Sequence, residues 1–143
     1  MQIATILSNK GDSVVTVTPS STVTSLLATL AEHQIGAAVV SQDGESISGI
    51  VSERDIVRAF AKIGASLLDA PVSQIMTKVV AVCQPKSTVE ELMVVMTEQR
   101  VRHIPVADDD GNLIGIVSIG DVVKARMDSL EDERKSLIAY VTS

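Results

Sequence analysis

Two short stretches hold the residue types able to do chemistry: Gly49-Ile50-Val51-Ser52-Glu53-Arg54-Asp55 and Gly115-Ile116-Val117-Ser118-Ile119-Gly120-Asp121. Their glycines are 66 positions apart. In each, a short apolar strand runs into Ser-x-x-Asp and then into a helical pattern, Ile56-Val57-Arg58 or Val122-Val123-Lys124. Such a turn points backbone N–H groups at whatever lies ahead of the helix, an arrangement that suits an anion. It also sets a carboxylate in the first helical turn. Ser-x-x-Asp is equally an ordinary helix start, because Ser caps and Asp is favoured by the dipole. Two such ends related by repetition predict two equivalent ligand clefts.

The elements that must position these residues repeat with the same offset. Pro19 matches Pro85, Ser21-Thr22-Val23 matches Ser87-Thr88-Val89, and Leu26, Glu32 and Val40 match Leu92, Glu98 and Val106. Two copies form a pseudo-two-fold pair rather than a solenoid, which needs three or more. In repeat one, β-branched Val14 to Val17 reads as a strand. Thr22 caps a helix with Val23, Leu26, Leu27 and Leu30 on one face. Gly36 is expected to end that helix as a left-handed residue. Ala37 to Val40 and Ser46 to Val51 are strands around an Asp43-Gly44 turn, and a helix from Glu53 fades near Gly64.

Repeat two follows the same plan. Val79 to Cys83 is a strand, and Thr88 with Glu91 reads as a capping box. Val89, Leu92, Met93 and Met96 form a buried face. His103 to Val106 and Leu113 to Val117 are strands around the Asp110-Gly111 turn, with a last helix from Ser118. Residues 3–8 predict a helical turn, and Val72 to Met76 a similar short helix in the linker. The fold class is α+β: two β-α-β-β-α repeats packed with pseudo-two-fold symmetry. Residues 1–64 form the first repeat. Residues 65–143 hold the linker and the second repeat, with a charged helical tail that exposes an apolar edge through Leu137-Ile138 and Tyr140-Val141.

Bulk properties narrow the function. The chain has 143 residues, 45% of them apolar, a net charge of −6 and only two aromatic residues, Phe60 and Tyr140. The field of the whole chain repels polyanions, and stacking platforms are absent, so nucleic acid binding is disfavoured. A phosphate site must be local. Cys83 stands alone, so neither an intrachain disulfide nor a Cys/His zinc spacing exists, and packing in the core is its expected role. With no signal-like start and no apolar run of membrane length, the expectation is a cytoplasmic protein without membrane partners.

The repeated motif, strand-Pro-x-x-Thr-Val-helix followed by an Ile/Val strand and Gly-Ile-Val-Ser-x-x-Asp, resembles a tandem pair of cystathionine β-synthase (CBS) domains, a Bateman module. Stand-alone bacterial proteins made of one such pair are similar in layout. The resemblance implies two clefts between the repeats that bind adenosyl compounds: AMP, ADP or ATP, with NAD(H) or S-adenosylmethionine in some members. It implies a regulatory, energy-sensing module with no required cofactor, forming a homodimer and acting on a regulated protein not identifiable from sequence.

The resemblance also assigns residues. Asp121, and secondarily Asp55, would accept hydrogen bonds from ribose hydroxyls, which suits a group that only accepts. Ser118 and Ser52 would cap their helices and touch the ligand. Arg100, Arg102 and His103 would lie near phosphates. Their repeat-one counterparts Gln34, Gly36 and Ala37 carry no charge, so the second repeat is expected to handle phosphate better. Arg54 would reach a phosphate from across the axis. Val82, Ile104 and Pro105 would sandwich adenine, with backbone from Lys78 to Val80 reading its edge. No catalytic residue is expected, since no activated nucleophile, metal cluster or paired catalytic carboxylates stand out. A ligand-independent dimerising scaffold is the alternative.

Overall fold

The computed structural model describes residues 1–11, 14–78 and 81–142. Helix α1 (Ile3–Lys10) is followed by β1 (Thr16–Val17), α2 (Val23–His33), β2 (Ala37–Val40), β3 (Gly49–Ser52) and α3 (Glu53–Ile63). Two 3-10 turns, Gly64–Asp69 and Val72–Gln74, lead to α4 (Val89–Gln99), β4 (His103–Ala107), β5 (Leu113–Ser118) and the long α5 (Ile119–Thr142). Strand β1 runs parallel to β2, and β2 is antiparallel to β3. In the second half β4 pairs antiparallel with β5. Cys83 makes a parallel bridge to Val106, standing where β1 stands in the first half. Of the expected strand at Val79 to Cys83, Val79 and Val80 lie outside the described residues.

The pseudo-symmetry is deeper than chain order. One core gathers Val17, Val23, Leu26, Val40 and Val51 and is completed by Leu67 and Val72 of the linker. The other gathers Cys83, Val89, Leu92, Ile104 and Val117 and is completed by Ile3 and Ile6 of α1. The N-terminal helix therefore packs under the second repeat. It is anchored there by Ile3 N–H donating to Ser87 O at 2.8 Å and Val89 N–H donating to Met1 O at 3.0 Å. The expected halves, 1–64 and 65–143, exchange these segments.

Three local expectations change. Helix α2 ends not at Gly36 but at Gln34, in the left-handed region at φ 54°, and α4 ends the same way at Arg100, φ 55°. The offset is again 66, so both helices stop at equivalent places without glycine. A left-handed non-glycine residue costs on the order of 1 kcal/mol. Gln34→Gly is therefore expected to raise stability by about 0.5–1 kcal/mol, read as a higher urea midpoint at unchanged slope. The capping box expected at Thr88 is only half formed, with Glu91 N–H donating to Thr88 Oγ1 at 3.2 Å; the N-terminal residues already run alongside Thr88 there. A reciprocal box occurs instead at Ser52 and Asp55. Finally, the strand read at Ser46 to Val51 is shortened, because Asp43 folds the preceding loop: its Oδ1 accepts from Glu45 N–H at 2.9 Å and Ser46 N–H at 2.7 Å.

Candidate functional site

A cavity of about 540 Å³ opens where α3 of the first repeat faces the α4–β4 junction of the second. Its volume lies within the range of small-molecule sites, roughly 300–1,000 Å³. From the first repeat it is lined by Ser52, Glu53, Arg54, Asp55 and Arg58, with Gly36 and Ile50. Arg100, Arg102 and His103 line it from the second, beside Val101, and Thr77 and Lys78 from the linker. Seven residues singled out in the sequence thus meet in one place: Ser52, Arg54, Asp55, Lys78, Arg100, Arg102 and His103.

Asp55 is set by the β3–α3 turn. Its Oδ2 accepts from Ser52 N–H at 2.9 Å and from Ser52 Oγ at 3.1 Å, and its Oδ1 accepts from Thr77 Oγ1 at 3.2 Å. A carboxylate has about four acceptor positions, so Oδ1 keeps capacity for a ligand hydroxyl. The backbone of this turn is less available. Ser52 N–H serves Asp55, Asp55 N–H donates to Ser52 Oγ at 3.3 Å, and Glu53 N–H donates to Gly36 O at 2.9 Å. These three N–H groups are therefore already partnered within the protein, so the anion reading of this helix start rests on the neighbouring side chains.

Asp121 is placed differently. It is not among the described lining residues. Its Oδ2 accepts from Ser118 N–H at 2.9 Å and from Lys10 Nζ at 2.7 Å, and Lys10 also donates to Ile116 O at 2.7 Å. The two ends use equivalent acceptors in different ways. Thr77 N–H donates to Ile50 O at 2.8 Å while its hydroxyl holds Asp55. At the other end one ammonium takes both Ile116 O and Asp121. Ser118 caps α5, with Asp121 N–H donating to its Oγ at 3.1 Å, and stays with Asp121 off the cavity.

Electrostatics follow this division. Burial pushes the Asp121 carboxyl up, but the Lys10 and Ser118 hydrogen bonds outweigh it, and the net shift is down. With its folded value below the ordinary 3.8, Asp121 contributes stability that is full above that value. The contribution is lost as pH falls through the folded value. Asp121→Asn should therefore flatten the acid side of the stability profile below about pH 4, read by urea unfolding across pH. His103 is lowered from 6.5, first by burial and then by Lys10 nearby, with Asp121 opposing. It enters the cavity as a neutral ring at pH 7.

The adenine sandwich expected from Val82, Ile104 and Pro105 is not assembled. Ile104 is 1% exposed in the second core and presents no face to a ligand. Pro105 is buried beside it on β4, and Val82 is exposed but off the cavity. The aliphatic surface of the cavity comes from Ile50, Ala81 and Val101 instead. Of the backbone expected to read the adenine edge, Val79 and Val80 lie outside the described residues. Arg58 and Thr77 escaped the sequence reading. Arg58 was signalled by its i, i+4 spacing from Arg54, whereas nothing local marks Thr77.

The CBS domain family model matches this chain twice, over residues 9–62 and 72–128. The chain belongs to the CBS-domain family. It is a tandem pair of CBS domains in mixed helix and strand. A CBS-domain-containing protein of Agrobacterium tumefaciens is 47% identical, with TM-score 0.83 over 88% of this chain and 99% of that one. The mitochondrial CBS-domain-containing protein CBSX3 of Arabidopsis thaliana is 37% identical over 97% of this chain and 71% of that protein. A CBS domain protein of Pyrobaculum aerophilum, solved in complex with AMP, is 26% identical, with TM-score 0.76 over 85% of this chain and 89% of that one. Among the described residues no helix of this CBS pair is long and apolar enough to cross a membrane. Burial raises the Cys83 thiol to about 11, which leaves it protonated and unreactive at neutral pH.

Proposed function

We propose that this CBS pair is a regulatory module that binds an adenosine nucleotide in the cavity between its repeats, and that it is not an enzyme. The observation that carries the reading is the meeting of Asp55 with Arg100, Arg102 and His103 around one 540 Å³ cavity. Asp55 accepts from ribose hydroxyls, the arginines take phosphate, and Ile50 and Val101 supply apolar surface for the base. A solved relative that holds AMP supports the ligand class. The sequence ranked Asp121 above Asp55; the Lys10 pairing favours the reverse order in this reading. A thermal-shift panel of AMP, ADP, ATP, NAD, NADH and S-adenosylmethionine on nucleotide-stripped protein tests it. Ligand at 100 times its dissociation constant stabilises by about 2.7 kcal/mol. No shift with any adenosyl compound favours the ligand-independent scaffold.

The regulatory half of the reading needs surfaces for partners, and α5 supplies one. Val123, Met127, Leu130, Leu137 and Val141 recur at coiled-coil spacing, and all are exposed. Charges of both signs flank this stripe in each half of the helix, Asp121, Lys124, Arg126 and Asp128 in the first and Glu131, Asp132, Glu133, Arg134 and Lys135 in the second. The exposed apolar stripe itself, rather than charge, supports a homodimer paired along α5. Wild type should sediment as a dimer, and a Leu130→Glu, Leu137→Glu variant as a monomer. The regulated protein would be sensed through this paired state. A cytoplasmic setting fits the single free thiol, although the relative CBSX3 is named mitochondrial; fractionation of the native host decides.

A further inference from the structure

The charge of the cavity says more than its shape. Arg54, Arg58, Lys78, Arg100 and Arg102 line it against only Glu53 and Asp55, in a chain whose net charge is −6. None of these five cations forms an ion pair among the described residues, where the salt bridges are Lys10–Asp121, Arg126–Glu90 and Arg134–Glu131. Five cations converging against two carboxylates leave the cavity with an excess of positive charge, and an arriving polyanion relieves that repulsion.

A second, shallower hollow of about 290 Å³ adjoins the first. Asp55 and Arg58 line both, and the second adds Lys62 from α3 with Gln74 and Ile75 from the linker. Arg54, Arg58 and Lys62 follow one another at four-residue intervals, so they stand on one face of α3. This face forms a cationic track from the cavity into the adjoining hollow. The long helix α5 keeps only one cation of such a track: the positions matching Arg54, Arg58 and Lys62 are Gly120, Lys124 and Asp128.

We infer that the ligand carries a chain of two or more phosphates, laid along Arg54, Arg58 and Lys62, and that the site selects nucleoside di- and triphosphates over AMP and over S-adenosylmethionine. The inference rests on the nucleotide reading of this cavity. The monophosphate satisfies the Arg100–Arg102 end alone, and the sulfonium compound brings positive charge to a basic site. Both leave the α3 cations unneutralised.

Calorimetric titration of nucleotide-stripped protein with AMP, ADP, ATP, S-adenosylmethionine and inorganic tripolyphosphate tests this. Affinity should rise by roughly tenfold or more from AMP to ATP, with tripolyphosphate competing against ATP. In Arg58→Gln and Lys62→Gln, both exposed helix substitutions checked for folding by circular dichroism, the ATP-to-AMP preference should fall about tenfold when combined. Equal or tighter binding of AMP, or an unchanged preference in the double variant, overturns the inference and leaves the nucleotide reading standing. Tripolyphosphate binding with no adenosyl compound competing upholds the polyanion track and removes the nucleotide. No binding by any of the five overturns both.

Discussion

Asp55→Asn is expected to weaken nucleotide binding by roughly 10- to 100-fold, while Asp121→Asn leaves it within about twofold. Hydrogen bonds to a charged partner contribute about 1.5–3 kcal/mol, which sets that range. Asparagine keeps an acceptor for the Ser52 box, so the α3 start is retained and the loss is read as binding rather than unfolding. The contrast between the two aspartates is the informative part. They are equivalent in sequence, but Asp55 meets a hydroxyl of Thr77 beside a cavity, whereas Asp121 is paired with Lys10 at 2.7 Å. Isothermal titration of both variants checks it. Equal losses would mean that the Lys10 pair opens to admit ligand.

Ile3→Ala should cost about 2–5 kcal/mol, the range for removing a fully buried aliphatic side chain. Ile3 is 0% exposed and sits with Val89, Leu92 and Val117 in the second core. A domain is stable by only about 5–15 kcal/mol, so a change three residues from the start removes a large share of that. The graded Ile3→Val should cost about 0.5–1.5 kcal/mol. Both are read from urea unfolding. A loss under about 0.5 kcal/mol for Ile3→Ala would mean that α1 does not belong to this core. Because the same core supports β4, which starts at His103, nucleotide affinity should drop in parallel with stability.

Much of this was legible in the residues. The 66-residue offset located both β-strand–helix turns, the caps at Thr22 and Thr88, and the buried faces of α2 and α4 except for Leu27 and Met93, which were expected on those faces and stand exposed. The cationic stretch Arg100 to His103 was also readable, because its counterpart in repeat one is uncharged. What was not legible is how the two repeats combine. Local spacing cannot say that Arg100 and Arg102 face Asp55 rather than Asp121, since that pairing is made by packing across the pseudo-two-fold. Nor can it say that Lys10, 111 positions away, would take the Asp121 carboxylate. Ile104 was misplaced for a simpler reason. On a strand whose neighbours are buried on both sides, alternation does not reveal which face is open.

The equivalent glycines of β3 and β5 show the same limit. A side chain on Gly49 would lie 2.8 Å from the carbonyl oxygen of Thr77, so only glycine lets the linker backbone pair with Ile50 and bring Thr77 to Asp55. At Gly115 the same space is filled by the end of Leu7, at 2.6 Å, a side chain of α1. One sequence position thus meets the linker in one half and the N-terminal helix in the other, and the two carboxylates inherit different partners from that exchange.

The most direct measurement is a calorimetric titration of nucleotide-stripped wild-type protein with ATP, read for stoichiometry and repeated with Asp55→Asn. One site per chain, lost or severely weakened in the variant, is the expected result. Two equal sites, or a single site indifferent to Asp55→Asn and abolished by Asp121→Asn, would contradict the assignment of the ligand to the Asp55 cavity.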